Sequence, residues 1–125
     1  MNMSEGQAKR VAAFGGFSGV LFGAFGAHLL RGVLEKSGTM QIWQTGVLYH
    51  LVHAVVLLVL SGWRPVPRAA FCLVLAGMII FSGSLYALAL TNLKWLGAIT
   101  PLGGLAMLAG WLVLAFGQRN GPEQM

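Results

Sequence analysis

AAFCLVLAGMIIFSGSLYALALTNL, residues 69–93, runs for 25 positions without an Asp, Glu, Lys or Arg. An α-helix rises about 1.5 Å per residue, so roughly 20 residues cross a hydrocarbon core of about 30 Å. This stretch is long enough to do so. Three further runs of the same kind accompany it, at residues 11–30, 37–63 and 95–118, with lengths of 20, 27 and 24 residues when histidine is taken as uncharged. None has the alternation of about ten residues that marks a transmembrane β-strand. Helices also satisfy every backbone polar group internally, as lipid demands. The sequence therefore predicts an all-α integral membrane protein, an antiparallel four-helix bundle in one domain, with helices over about residues 11–30, 43–62, 69–90 and 97–117.

Composition points the same way. Of 125 residues, 9% are charged and 57% hydrophobic, whereas an average globular protein is about 25% charged. Eight Lys and Arg with three Asp and Glu cannot cover the surface of a soluble fold. A single cysteine, Cys72, excludes a disulfide scaffold. It falls near the inner end of the third run and reads as a small core residue. The net charge of +5 follows from topology and from attraction to anionic lipid, with no need of nucleic acid. Lys9 and Arg10 before the first run resemble the start of a signal peptide. That run is longer than a signal core of about 7–15 residues, and three more spans follow, so it is read as a retained span.

The connectors fit antiparallel neighbours. Arg64-Pro65-Val66-Pro67-Arg68 and Thr91-Asn92-Leu93-Lys94 are short turns. The connector at 32–45 is longer and partly apolar, through Leu34, Met40, Ile42 and Trp43, and is expected at the interface or as an early start of the second helix. There Gly38 would stop one helical piece and Thr39 cap the next. Lys9, Arg10, Arg64, Arg68 and Arg119 fall on one side, and Arg31, Lys36 and Lys94 on the other. The positive-inside rule then places both termini in the cytoplasm. Trp43 and Trp95 are expected at the outer interface and Trp63 at the inner one.

Gly15, Gly19, Gly23 and Ala27 recur every four residues along the first helix, a glycine zipper on which another helix can close. Gly83 with Ala87, and Ala106 with Gly110, repeat the spacing once each. Such faces serve internal packing, or, left outward, a homo-oligomer.

All three histidines, His28, His50 and His53, lie within or at the edge of apolar runs, where ionisable groups usually face the bundle interior. His50 and His53 fall roughly 10 and 15 Å below the outer boundary at helical rise. Ser82, Ser84 and Tyr86 of the third helix and Thr100 of the fourth reach the same depth. Thr100 either caps a helix beginning at Pro101, or Pro101 kinks a longer one. The outer half of the bundle is thus polar and the inner half apolar. Three readings follow: hydrogen bonds that fix helix packing, an outward-facing pocket for a solute, lipid head group or ion, or a metal or haem site. Two ligands three apart on one helix cannot hold opposite faces of a haem, so that site would need His28 opposite His50 or His53. Ser82 or Ser84 with a histidine lacks a carboxylate to orient the base, because Glu5, Glu35 and Glu123 lie in connectors and tails.

Gly23-Ala24-Phe25-Gly26-Ala27-His28, Trp43-Gln44-Thr45 with Tyr49-His50 and His53-Ala54, Phe81-Ser82-Gly83-Ser84-Leu85-Tyr86, Thr100-Pro101-Leu102-Gly103-Gly104 and Gly110-Trp111 together resemble one family. It is the YgdD/YwdK-type family of small four-helix bacterial inner-membrane proteins, a domain of unknown function with eukaryotic transmembrane relatives. The resemblance covers nearly the whole chain and implies this length and topology. In that family the position of His50 is polar without always being histidine, which favours His28 and His53 as the pair for any metal or haem. The expectation is a non-enzymatic protein of the cytoplasmic membrane, embedded in lipid, forming homo-oligomers or joining a membrane partner. It would bind a small ligand or lipid at His28, His50, His53, Ser82, Ser84, Tyr86 and Thr100. The alternative is a metal- or haem-binding redox subunit.

Overall fold

Capping chemistry, more than hydrophobicity, sets where the first helix begins. In the computed structural model, which describes residues 4–117, α1 spans Glu5–Ala27 and so starts six residues before the apolar run. Ser4 Oγ accepts from the Gln7 amide at 3.1 Å, and Gln7 Oε1 accepts from the Ser4 amide at 3.0 Å. This reciprocal box satisfies two of the donors that a helix start leaves open. Arg119 and Glu123 lie outside the described residues.

The long connector is itself helical. A short α2, Arg31–Ser37, ends on Gly38 at φ 71°, and α3, Met40–Ser61, starts two residues later. Gly38 therefore stops a helix as expected, since a left-handed cap suits a residue without Cβ. Thr39 precedes α3, but its hydroxyl does not cap it. Thr39 Oγ1 donates instead to the Ala89 carbonyl of α4, Arg68–Thr91, at 2.9 Å. A 3-10 turn, Lys94–Ala98, then leads into α5, Thr100–Phe116. Pro101 sits in the first turn of α5, where its missing N–H removes no helical bond.

The described residues contain four helices long and apolar enough to cross a membrane: α1, α3, α4 and the 94–116 segment that includes α5. Backbone contacts link α1 to α3, α3 to α4, and α4 to α5, with none between α1 and α5. Of the four, α4 is the most enclosed. One apolar cluster, around Leu57, Leu60, Phe71 and Val74, fills the end of the bundle near the α3–α4 turn. A second, with Leu34, Trp43, Tyr86 and Ala89, sits beneath α2. The side-chain hydrogen bonds that join different helices gather toward the second cluster; near the first, buried Ser61 bonds only within its own helix, to the Leu58 carbonyl.

Two positions differ from expectation. Trp43 is only 3% exposed and lies inside the bundle, not in an interfacial belt; its ring N–H donates to the Phe22 carbonyl at 2.9 Å. Cys72 is exposed on α4, because its neighbour Phe71 takes the inward position.

The close approach of α1 to α3 runs along Ala8, Ala12, Gly15, Gly19 and Gly26, all buried, with Gly23 half-buried beside Val47. Ala27 is exposed. A strict four-residue repeat drifts about 40° per step around a helix of 3.6 residues per turn. By Ala27 it has left the interface, and Gly26 takes the place, directly against the Trp43 indole. Between α4 and α5 the close contacts are Gly77, Gly103 and Gly110. A Cβ on Gly103 would meet the Phe81 backbone, its Cα at 2.8 Å. Gly83 is exposed and a Cβ there meets nothing within 4 Å, so that position does no packing within the chain. Gly103→Ala should therefore cost about 1–3 kcal/mol through forced separation of α4 and α5. Gly83→Ala should be neutral or slightly stabilising. Thermal unfolding of both variants in the same detergent checks this; equal midpoints would contradict it.

Candidate functional site

The two central histidines lie three residues apart on α3, about 60° apart around its axis. That angle sends them to different neighbours. His50 Nε2 is 3.0 Å from Ser18 Oγ of α1, and His50 Nδ1 is 2.8 Å from the Tyr86 hydroxyl of α4. His53 Nδ1 is 2.9 Å from the Tyr49 carbonyl, one turn back on α3, and its Nε2 receives the Trp111 indole N–H of α5 at 3.1 Å.

At His53 the partners fix the proton: an indole N–H only donates and a carbonyl only accepts, so Nε2 carries the lone pair and Nδ1 the hydrogen. At His50 both partners are hydroxyls, which donate or accept, so its two bonds suit either tautomer. The Ser18 hydroxyl also lies 3.1 Å from the Gly15 carbonyl. A chain of hydrogen bonds thus links Tyr86, His50, Ser18 and Gly15 across three helices.

Serine, imidazole and a third polar group in line resemble the parts of a nucleophilic triad, but the group behind the imidazole is the Tyr86 phenol and not a carboxylate. A catalytic base is oriented, and its charged form stabilised, by a charged or accepting group behind it. The arrangement ties α1, α3 and α4 together.

The remaining predicted residues also form bonds within the fold. Ser82 Oγ donates to the Gly46 carbonyl at 2.7 Å and lies on the α3–α4 seam. Ser84 Oγ is 2.6 Å from Thr100 Oγ1, which joins α4 to the start of α5. His28 is exposed at the C-terminal cap of α1, where its amide bonds to the Ala24 and Phe25 carbonyls. The layer therefore brings together His50 with Tyr86, and Ser84 with Thr100, but it does not gather the seven residues around one cavity. Among the described residues, no buried side-chain N or O lacks a partner. Nor does any group of three or more His, Cys, Asp or Glu come close enough to hold a metal ion.

Four contributors were not anticipated. Ser18 is the sole hydroxyl in the run at 11–30, and an isolated serine in an apolar helix was a readable signal. Trp43 carries a ring N–H that needs an acceptor once buried, and Trp111, itself exposed, turns its ring N–H to His53. The Thr39 hydroxyl reaches α4 in place of capping α3.

An open groove of about 270 Å³ remains between α3, α4 and α5, lined by Tyr49, His53, Phe81, Gly104, Met107 and Trp111 among others. It exists because α3 and α5 both rest on α4 without backbone contact between them. Tyr49 stacks over His53, with centroids 6.1 Å apart and rings 13° from parallel. Trp111 meets the same imidazole edge-on.

Residues 22–104 match the family described as a protein of unknown function, DUF423. The membrane protein YwdK of Bacillus subtilis is 46% identical over 99 residues, covering 74% of this chain and 79% of its own. A Haemophilus influenzae membrane protein is 40% identical over 111 residues, covering 86% of this chain and 89% of its own. The inner membrane protein YgdD of Escherichia coli is 37% identical over 119 residues, covering 85% and 84%. No solved structure matches the chain. With the shared segment running from the last third of α1 into the second turn of α5, this membrane protein belongs to the DUF423 family, whose relatives carry the name UPF0382.

Proposed function

We propose that this chain is a non-catalytic protein of the bacterial cytoplasmic membrane that acts through its membrane-facing surfaces, by binding lipid or a neighbouring helix. Its polar layer is the lock that holds those surfaces in place. One observation carries the reading: both ring nitrogens of His50 and of His53 are engaged inside the fold. Interhelical bonds of this kind are worth about 0.5–2 kcal/mol each in a membrane bundle. Both termini face the cytoplasm in this reading. Lys9, Arg10, Arg64 and Arg68, with Arg119 of the tail, outnumber Arg31, Lys36 and Lys94 at the other end. The name of the Escherichia coli relative, an inner membrane protein, supports the cytoplasmic membrane as the location.

A second reading places a small apolar ligand in the groove over α4, where Tyr49 is 40% exposed and presents its ring beside His53. Binding there would use the aromatic walls and leave the His53–Trp111 bond intact. The metal or haem alternative asks more of the fold. His53 would have to release Trp111 to offer Nε2, while His28 would approach from the end of α1.

A double-mutant cycle tests the lock. Trp111→Phe removes one N–H and keeps most of the ring; His53→Ala removes the acceptor. The expected coupling is about 0.5–2 kcal/mol in thermal unfolding of the detergent-purified protein, and Tyr86→Phe should cost a similar amount by leaving His50 Nδ1 without its partner. A visible spectrum with elemental analysis of tag-free protein should be colourless and metal-free. A Soret band or stoichiometric metal, lost in both His28→Ala and His53→Ala, would overturn the proposal.

A further inference from the structure

The side of α1 turned away from α3 combines two features that fit one molecule. Lys9 and Arg10 are exposed in the second turn of the helix. Glu5 stands four residues before Lys9, the usual spacing for an ion pair on a helix. Its carboxylate instead binds Arg64 of the α3–α4 turn at 2.6 Å. Among the described residues, neither Lys9 nor Arg10 has an ion-pair partner. Ala8 is fully buried in the apolar cluster that also takes Val66 and the Trp63 ring, which seats the start of α1 against the α3–α4 turn. Among the described residues, two cations thus stand without an ion-pair partner one after the other on the helix.

Above them runs an apolar groove of about 410 Å³, lined by Gly16, Phe17, Val20, Leu21 and Ala24. At about 100° per residue, Lys9 lies in line with Gly16 and Val20, and Arg10 in line with Phe17 and Leu21. One cation therefore stands below the floor of the groove and the other below its ridge. The groove starts about 10 Å beyond Lys9 and ends about 21 Å beyond Arg10, by helical rise. One leaflet, head group included, is about 20–22 Å deep.

From this alignment we propose that the outward face of α1 is a binding site for one anionic phospholipid, its phosphate held by Lys9 and Arg10 and an acyl chain laid in the groove over Gly16. Charge complementarity selects the head group, at about fivefold per basic side chain near the surface. The missing side chain at Gly16 makes room for the chain: a Cβ there meets nothing within 4 Å.

The test is native mass spectrometry of the detergent-solubilised full-length protein titrated with phosphatidylglycerol or phosphatidylcholine. The unaltered protein should retain phosphatidylglycerol preferentially. Lys9→Gln with Arg10→Gln should lower that preference about 25-fold, and Lys36→Gln with Lys94→Gln, at the opposite end, should leave it intact. Gly16→Leu, which fills open space without touching the core, should weaken retention of both lipids while the unfolding midpoint stays the same. Unchanged preference in the Lys9/Arg10 variant, or an equal loss in the Lys36/Lys94 variant, would overturn the site. So would a Gly16→Leu protein whose oligomeric size changes while lipid retention does not, because the groove would then belong to a second copy.

Discussion

His50 stands where α1, α3 and α4 meet, and the geometry of the bundle follows from satisfying its two nitrogens without water. In hydrocarbon, a polar group that misses its partner finds no substitute. Ser18 must therefore come within 3.0 Å on one side and Tyr86 within 2.8 Å on the other. Both distances require helices that approach closely, and the buried small residues of α1 allow it. Gly15, nearly one turn before Ser18, and Gly19, the residue after it, face α3, where a larger side chain would hold α1 off. Dispersion along the glycine face supplies attraction but little register, since one turn of a smooth stripe resembles the next. The hydrogen bonds supply the register.

The same logic explains why α5 is held differently. It contacts α4 through backbone at Gly77 and Gly103, and it contacts α3 only through side chains, Trp111 to His53 among them. The spacing leaves a groove in place of a fourth seam. Four helices thus form a row bent around α4, and many of their large apolar side chains remain turned outward, including Phe14 and Phe17 of α1 and Leu105 and Leu108 of α5. In lipid such exposure is the solvated state of the surface.

Periodicity and composition were enough to read the number of spans, their order, the stop at Gly38 and the concentration of polar residues at one end. They could not show which polar residues meet. His50 and His53 share a face by spacing, yet 60° of rotation gives them different partners, and that depends on where the neighbouring helices stand. Ala27 illustrates a second limit. A four-residue repeat is conspicuous in a sequence, but a helix turns with a period of 3.6, so the stripe that packs is not the stripe that is easiest to see. Trp43 illustrates a third: its position near a span boundary suggested the interface, and only the Phe22 carbonyl opposite it explains its burial. The resemblance seen in the sequence motifs and the family match agree, and neither brings an activity with it.

The order of contacts carries a consequence for biosynthesis. Each spanning helix docks on one that precedes it in the chain: α3 on α1, α4 on α3, α5 on α4. Among the described residues, no early helix waits for the last one to complete its backbone seam. A nascent chain can therefore assemble in step with its own insertion, each new span meeting a partner already in the bilayer. Local pairing of this kind keeps loop-closure entropy small and limits the time that Ser18, His50 and Tyr86 face lipid unpaired.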